Sequence, residues 1–373
     1  MSVSTANICE AVLTTLMAED VQSPDKILPR AGVLGALLSA ENRNAAPLVR
    51  AAYDDGHTRG VRLAYKQRRI ESEVAEEESC GGGAFNPYLE VDFNVTSYRE
   101  IKWLVPIETV RALCKMYSDI QIQPAQLSEA AVQANINRLS GTQIGLIREM
   151  GNEFMYQANA LADAIKIELL TQLNLAVGQY PDSASTSKSF QVQNSAANGG
   201  GPWFDGITNF RQELGKFEWG GTPLIVHDYG AFDRMVRIGG TQFCCSALGV
   251  NFTEVYTPSD FRTFSDFNVH NVSGGTVNDA YVFYPGAANL IQFLKNVGNL
   301  GGKMDNVWRM VIPMPGIPGM NVDLKIVENG CDQTYDFVMG TYFDLFTAPD
   351  DMYKAGDRLA GSNGILKAVF TQA

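Results

Sequence analysis

Thr58-Arg-Gly-Val-Arg-Leu-Ala-Tyr-Lys-Gln-Arg-Arg-Ile-Glu-Ser-Glu-Val-Ala-Glu-Glu-Glu-Ser79 is a charged arm with apolar residues at its root. It runs through Cys80 and three glycines into Tyr88–Val95, where Leu89, Val91, Phe93 and Val95 alternate with polar residues. That period of two is the pattern of a half-buried strand. An arm with apolar roots and a charged tip has little core of its own to fold against. Such a segment finds its partner on another copy of the chain, which points to assembly and not to chemistry. Ile101-Lys-Trp-Leu-Val105 forms a second apolar run closed by Pro106, and Ile107–Tyr117 turns helical.

Beyond Pro124 lies the longest helical pattern of the chain. Ile147, Met150, Phe154, Ala158, Leu161, Ile165, Leu169 and Leu173 step by three or four, as one apolar stripe of a helix does. From Gln143 to Val177 such a helix is about 50 Å long at 1.5 Å per residue. On the N-terminal side, residues 3–18 and roughly 30–55 read as short helices, interrupted at Asn44–Pro47. On the C-terminal side, Ser189–Gln193 reads as a strand within a Ser/Asn/Gly loop. Trp203–Lys216, Tyr229–Ile238 and Ala288–Val297 read as helices, and Thr222–Val226, Asn251–Tyr256 and Ala280–Tyr284 as strands. Val322–Glu328 and Tyr335–Thr347 form a hairpin about Asn329-Gly-Cys-Asp-Gln333. Both faces of its second strand carry large side chains, so it is expected to be covered on two sides.

The 373 residues provide for a sizeable core, and the apolar content of 45% excludes a disordered chain. Charged residues are only 19% and the net charge is −12. Basic residues cluster only at Arg59–Arg69, beside the acidic run Glu71–Glu78, which argues against direct DNA recognition. Arg62, Lys66, Arg68, Arg69, Glu71, Glu73, Glu76, Glu77 and Glu78 are instead the candidate contacts between subunits. The six cysteines include no C-x-x-C pair, which suits burial in a reducing compartment. No apolar run is long enough to span a bilayer.

Catalytic constellations are missing. The three histidines, His57, His227 and His270, have no metal-binding spacing, and no G-x-S-x-G elbow is present. Gly298-Asn-Leu-Gly-Gly-Lys303 has one residue too few for a phosphate loop, and Met304 stands where a hydroxyl would hold magnesium. His227-Asp228, after a short strand, is the nearest approach to a catalytic pair. The residues give no catalytic, cofactor or metal site, and the chain is read as a non-enzyme.

The order of elements resembles the major capsid proteins of tailed phages, with their Hong Kong 97-type fold. The resemblance implies an α+β chain with an N-arm, an extended β-loop, a long spine helix, a peripheral β-sheet and an α/β axial domain. Residues 1–55 correspond to the N-terminal arm, and 58–105 to the extended loop and the start of the peripheral domain. Residues 106–200 correspond to the peripheral domain with the spine helix, 201–320 to the axial domain, and 321–373 to the peripheral hairpin and tail. Pro223-Leu-Ile-Val-His-Asp-Tyr-Gly-Ala-Phe-Asp233 is similar to the strand-then-helix entry common in these proteins. The function so implied is that of a structural subunit assembling, as hexamers and pentamers of itself, into the icosahedral head of a double-stranded DNA phage. Its place is the virion, after assembly in a bacterial cytoplasm. Scaffolding, portal or decoration proteins are the implied partners, packaged DNA is met only non-specifically, and no membrane or cofactor is involved. A nanocompartment shell shares the same fold. An α/β enzyme using His227-Asp228 and a phage tail or vertex protein are the other readings.

Overall fold

The computed structural model describes residues 31–54, 59–65, 88–112, 141–178, 189–193, 221–233, 262–295, 302–304, 307–329, 332–349 and 363–371. They form a mixed α+β chain with few helices and three sheets. The described residues fall into two compact units. One holds those of Ser97–Ile165 and Gln292–Tyr342, the other those of Arg30–Thr96, Lys166–Ile291 and Phe343–Ala373.

The first unit is built on the sheet β10-β11-β12-β13-β4, with β10 at Gly302–Met304, β11 at Val307–Pro313, β12 at Asn321–Asn329, β13 at Thr334–Thr347 and β4 at Ser97–Pro106. Strand β9, Ala288–Phe293, pairs with β13 beside this path. In β11, Trp308, Met310 and Ile312 are buried, and in β12, Val322, Leu324 and Ile326. Their alternation is the pleat written into the sequence. The expected hairpin is present, with Asp323 opposite Gly340 and Asn329 opposite Thr334. At its turn Gln333 takes a positive φ of 51°. From Met339 to Phe346 almost every residue of β13 is buried, so this stretch is covered on both faces as expected.

The long helix, α3, spans Gly141–Leu175 and is 35 residues long. Leu, a strong helix former, is its commonest residue. Met150, Phe154, Ala158, Leu161, Ile165, Leu169 and Leu173 are all buried, so the stripe read from the sequence is the core face. In the first unit Phe154 meets Trp103 and Phe337 edge-on, at ring separations of 5.0 and 6.3 Å, and Trp103 stacks on Phe337 at 5.3 Å.

The second unit holds the sheet β5-β14-β8-β6-β7. Its strands are Ser189–Gln193 (β5), Ile365–Thr371 (β14), Asp279–Phe283 (β8), Leu224–His227 (β6) and Arg262–Ser265 (β7). Pairing is parallel at both rims and antiparallel in the middle. The central strands β6 and β8 are wholly buried, hence the apolar runs Leu224–Val226 and Ala280–Phe283. Helices α1, Gly32–Leu37, and α2, Ala40–Ala45, belong to this unit, α1 lying on β6 and β7. Gly32 has φ +48°, and a Cβ there would collide with the Asp266 carboxylate. That carboxylate accepts from Val33 N–H at 2.9 Å, in the place of a local cap. Asn42 is buried with its amide fully used. It donates to Leu37 O at 2.9 Å and Ala288 O at 2.8 Å, and accepts from Gly286 N–H at 3.0 Å.

Two expectations are corrected. Residues 288–293 are strand β9 and not the start of a helix. Their backbone groups are drawn into the sheet by β13, which overrides local propensity. The helical reading of 30–55 ends at Ala45, and Leu48–Asp54 is strand β1. Pro47 cannot continue the helix, and Val49 and Tyr53 favour an extended chain. The helix expected from Tyr229 is present over 229–233, its remainder lying outside the described residues. The helices expected at 3–18 and 203–216 and the strand at 251–256 also lie outside them.

Candidate assembly surface

The root of the charged arm is strand β2, Arg59–Tyr65, paired antiparallel to β1 on one side and to β3, Leu89–Asn94, on the other. The alternation of the sequence sorts the two faces. Val61, Leu63, Val91 and Phe93 turn inward onto Phe346 and Ile291, with the Phe93 and Phe346 rings edge-on at 5.4 Å. Glu90, Asp92, Asn94 and Arg62 turn outward and are exposed. Arg62 stands opposite Asp92 in the register. Its guanidinium grips that carboxylate with two bonds of 2.7 and 3.2 Å, the planar fork that suits a carboxylate. These bonds hold the Asp92 carboxyl below its usual range. Tyr53 reaches across the sheet to donate to Asn94 Oδ1 at 3.0 Å.

Strand β1 is a contrast to β2. Every residue of it is exposed or half-buried, and Val49 is 59% exposed. The register skips Arg50, which makes a bulge, and the Arg50 guanidinium lies 5.0 Å over the ring of Tyr88. An apolar groove of 240 Å³ opens at this end, lined by Pro47, Leu48, Tyr65, Tyr88, Phe346 and Pro349 among others. Sequence reasoning missed β1, although Val49 and Tyr53 after a proline were a usable signal. Of the expected contact residues, Arg62 lies in this sheet. Lys66, Arg68, Arg69, Glu71, Glu73, Glu76, Glu77 and Glu78 lie outside the described residues.

Thr96, Gln172 and Asp344 knit the base of the arm into the second unit. The Asp344 carboxylate accepts from the backbone and hydroxyl of Thr96 and from the Gln172 amide, at 2.5, 3.1 and 2.7 Å. Gln172 Oε1 in turn accepts from Leu345 N–H at 2.8 Å.

The alternative catalytic pair does not form. His227 turns Nδ1 to the carbonyl of Asp228 at 3.2 Å, not to its carboxylate, and its ring stacks on Phe232. The buried Asp228 carboxylate serves other groups, accepting from Tyr229 N–H at 2.6 Å, His270 N–H at 3.0 Å and His270 Nδ1 at 2.8 Å. It thus joins the start of the 229–233 helix to the turn Val269–Asn271, which is structural work. Among the described residues no cluster of three or more His, Cys, Asp or Glu could hold a metal ion. No helix among them is long and apolar enough to cross a membrane.

Burial pushes the His227 imidazole below its ordinary value of 6.5. The folded chain therefore holds this side chain neutral, while the unfolded chain takes up a proton below about pH 6.5. More protons bind to the unfolded state, so stability falls as pH drops through that value. Thermal midpoints from pH 8 to 5 are expected to fall less in His227→Gln than in the parent. Equal slopes in the two would sink this assignment.

No family model matches the chain, and no curated protein matches it. Solved structures do resemble it in fold. The cyanophage A-1(L) capsid asymmetric unit is 11% identical, with a TM-score of 0.49 over 87% of this chain and 91% of that one. A structure from Mycobacterium phage Che8 is 12% identical, with a TM-score of 0.40 over 94% of each chain. The capsid of Ralstonia phage GP4 is 9% identical, with a TM-score of 0.40 over 88% of this chain and 89% of that one.

Proposed function

We propose that the chain is a structural subunit of a viral shell, the icosahedral head of a tailed double-stranded DNA phage. The observation that carries this reading is the sheet β1-β2-β3. Strands β2 and β3 are anchored to Phe346 and Ile291, while the edge strand β1 leaves its apolar residues uncovered. A monomer has no use for an ordered apolar edge strand, which is an invitation to self-association. Many copies of one chain cover such edges repeatedly, so each contact can be modest and the closed shell still stable.

In this reading residues 1–55 are an arm laid on neighbours, and 58–105 an extended loop whose charged tip carries the Arg68, Arg69 and Glu76–Glu78 contacts. Helix α3 is a spine that keeps each subunit stiff, residues 201–320 form an axial domain, and the β12–β13 hairpin returns to the periphery. Scaffolding, portal and decoration proteins are the expected partners, and assembly takes place in a bacterial cytoplasm before the subunit becomes part of the virion.

The purified chain, viewed by negative-stain electron microscopy beside size-exclusion with light scattering, is expected to give closed shells of uniform size. Reversing Arg68 and Arg69 to Glu is expected to reduce particle yield while circular dichroism stays unchanged. A chain that stays monomeric, with and without coexpressed scaffold, would overturn the shell reading. Unchanged yield in the reversal variant would remove the tip from the contact.

A further inference from the structure

Strand β4 closes one rim of the six-stranded sheet, and among the described residues no strand lies on its outer side. It is ten residues long, with its one proline, Pro106, at the end. Long edges are ordinarily blunted by a bulge, a central proline or a covering loop. Instead, β4 shows Glu100, Lys102 and Leu104 on one exposed face, with half-buried Tyr98 beside them. Leu104, an apolar side chain on this rim, is 59% exposed. The opposite face is the core, with Trp103 and Val105 buried.

The backbone alternation of β4 can be followed. Ile107 N–H donates to Gln333 O at 2.9 Å, so odd-numbered residues turn their backbone groups toward β13. Glu100 agrees, since a Cβ added at Gly340 would lie 2.9 Å from its own Cβ, the close approach of a pair not hydrogen-bonded to β13. Pro106 agrees again, because a residue without an N–H is tolerated where that group faces away from the sheet. Tyr98, Glu100, Lys102 and Leu104 therefore present their N–H and C=O groups to the open rim.

We infer that a second copy of this chain docks there, β4 against β4, antiparallel about a two-fold axis at Ile101. This rests on the shell reading and gives one of its contacts a definite geometry. An antiparallel pair using those outward groups can be centred at several residues, and at three of them, Glu100, Ile101 and Lys102, it sets the Glu100 and Lys102 charges against other charges. Centring at Glu100 sets that carboxylate against its own copy, and centring at Lys102 sets two ammonium groups together. Centring at Ile101 places Glu100 opposite Lys102 of the second copy and Lys102 opposite its Glu100. It also places Leu104 against Tyr98 at both ends. Charge complementarity thus selects one register of the three, and the same register covers the exposed Leu104.

Both charged groups have neighbours in their own chain that leave this pairing open. Glu100 accepts from Tyr98 O–H at 2.7 Å, and a carboxylate accepts several bonds. Lys102 lies 2.8 Å from Asp336, and an ammonium group has three donors. The ring of Tyr98 is held against Tyr342 at 4.4 Å, so the apolar end of the pair is already ordered.

The test uses Glu100→Lys and Lys102→Glu, singly and as a mixture. The first variant carries two lysines on this face and repels its own copy, and the second carries two glutamates and does the same. Mixed, they are complementary. Each variant alone is expected to associate about tenfold more weakly than the parent in sedimentation, since two attractive pairs become repulsive. An equimolar mixture is expected to recover the parent value, and thermal unfolding reports whether each variant still folds. A variant that unfolds is replaced by Leu104→Lys, which loads the same rim with charge outside the core and is expected to weaken association likewise. Shells forming equally well from each variant alone overturn β4 pairing and leave the shell reading standing. Dimers that follow the charge pattern without shells in any condition support β4 pairing and overturn the shell reading. A strictly monomeric parent overturns both.

Discussion

Phe154→Ala is expected to lower stability by about 3–5 kcal/mol, the usual range for emptying a buried aromatic site. Phe154 is almost wholly buried and meets Trp103 and Phe337 edge-on, in one interlocked set of three rings. Aromatic pairs contribute about 0.5–1.5 kcal/mol beyond their burial, and this substitution removes two of them. The neighbours cannot close the gap easily, because Trp103 sits on β4 and Phe337 on β13, each fixed by sheet pairing. Tyr156 is the control. It lies on the same helix but is exposed, and its alanine variant is expected within about 0.5 kcal/mol of the parent. Urea unfolding measures both. A Phe154→Ala loss below about 1 kcal/mol would mean that the three rings are not a packed unit.

Asn42→Asp is expected to be as damaging, by about 3–5 kcal/mol, although it exchanges an amide for an acid of the same shape. The Asn42 amide nitrogen feeds two carbonyls, those of Leu37 and Ala288. An ionised aspartate has no hydrogen to offer them and turns a buried charge toward two oxygens. The carbonyls lose their donors at the same time, and each unmet group adds its own desolvation cost. Asn42→Ala deletes the same bonds without introducing the charge, so it is expected to fall between the parent and Asn42→Asp. Thermal or urea unfolding of the three chains gives the order. An aspartate variant as stable as the alanine variant would exclude the charge as the cause.

How far the sequence discloses this structure depends on whether local pattern and distant pairing agree. Met150 to Leu173 could be read directly, because a helix satisfies its own backbone and only its stripe must find a core. The β12–β13 hairpin was legible for a similar reason, since its turn residues and both strands lie within a few residues of one another. Ala288–Val297 was misread because nothing within those residues shows that β13 offers them hydrogen bonds. Strand β1 was missed on the same ground, its partner β2 being recognised as an arm and not as the middle of a sheet. As for the candidate surface, the sequence marked the root of the arm around Arg62 as apolar but did not mark it as a strand. It gave no hint that Arg62 is held by Asp92, a residue thirty positions away. The Glu100–Lys102 pairing was within reach in principle, but it gains meaning only once β4 is known to be a rim.

The cap on α1 also decides when that helix can exist. Six residues do not hold a helix in water unaided, and Val33 draws its acceptor from Asp266, 233 positions later in the chain. During synthesis at about 5–20 residues per second, that acceptor follows roughly 10–50 s behind the helix it completes. Val33, Leu34, Ala36 and Leu37 must therefore leave the ribosome with their apolar side chains uncovered, and they depend for that interval on dilution or on chaperones. The earliest of the described helices is thus among the last to settle.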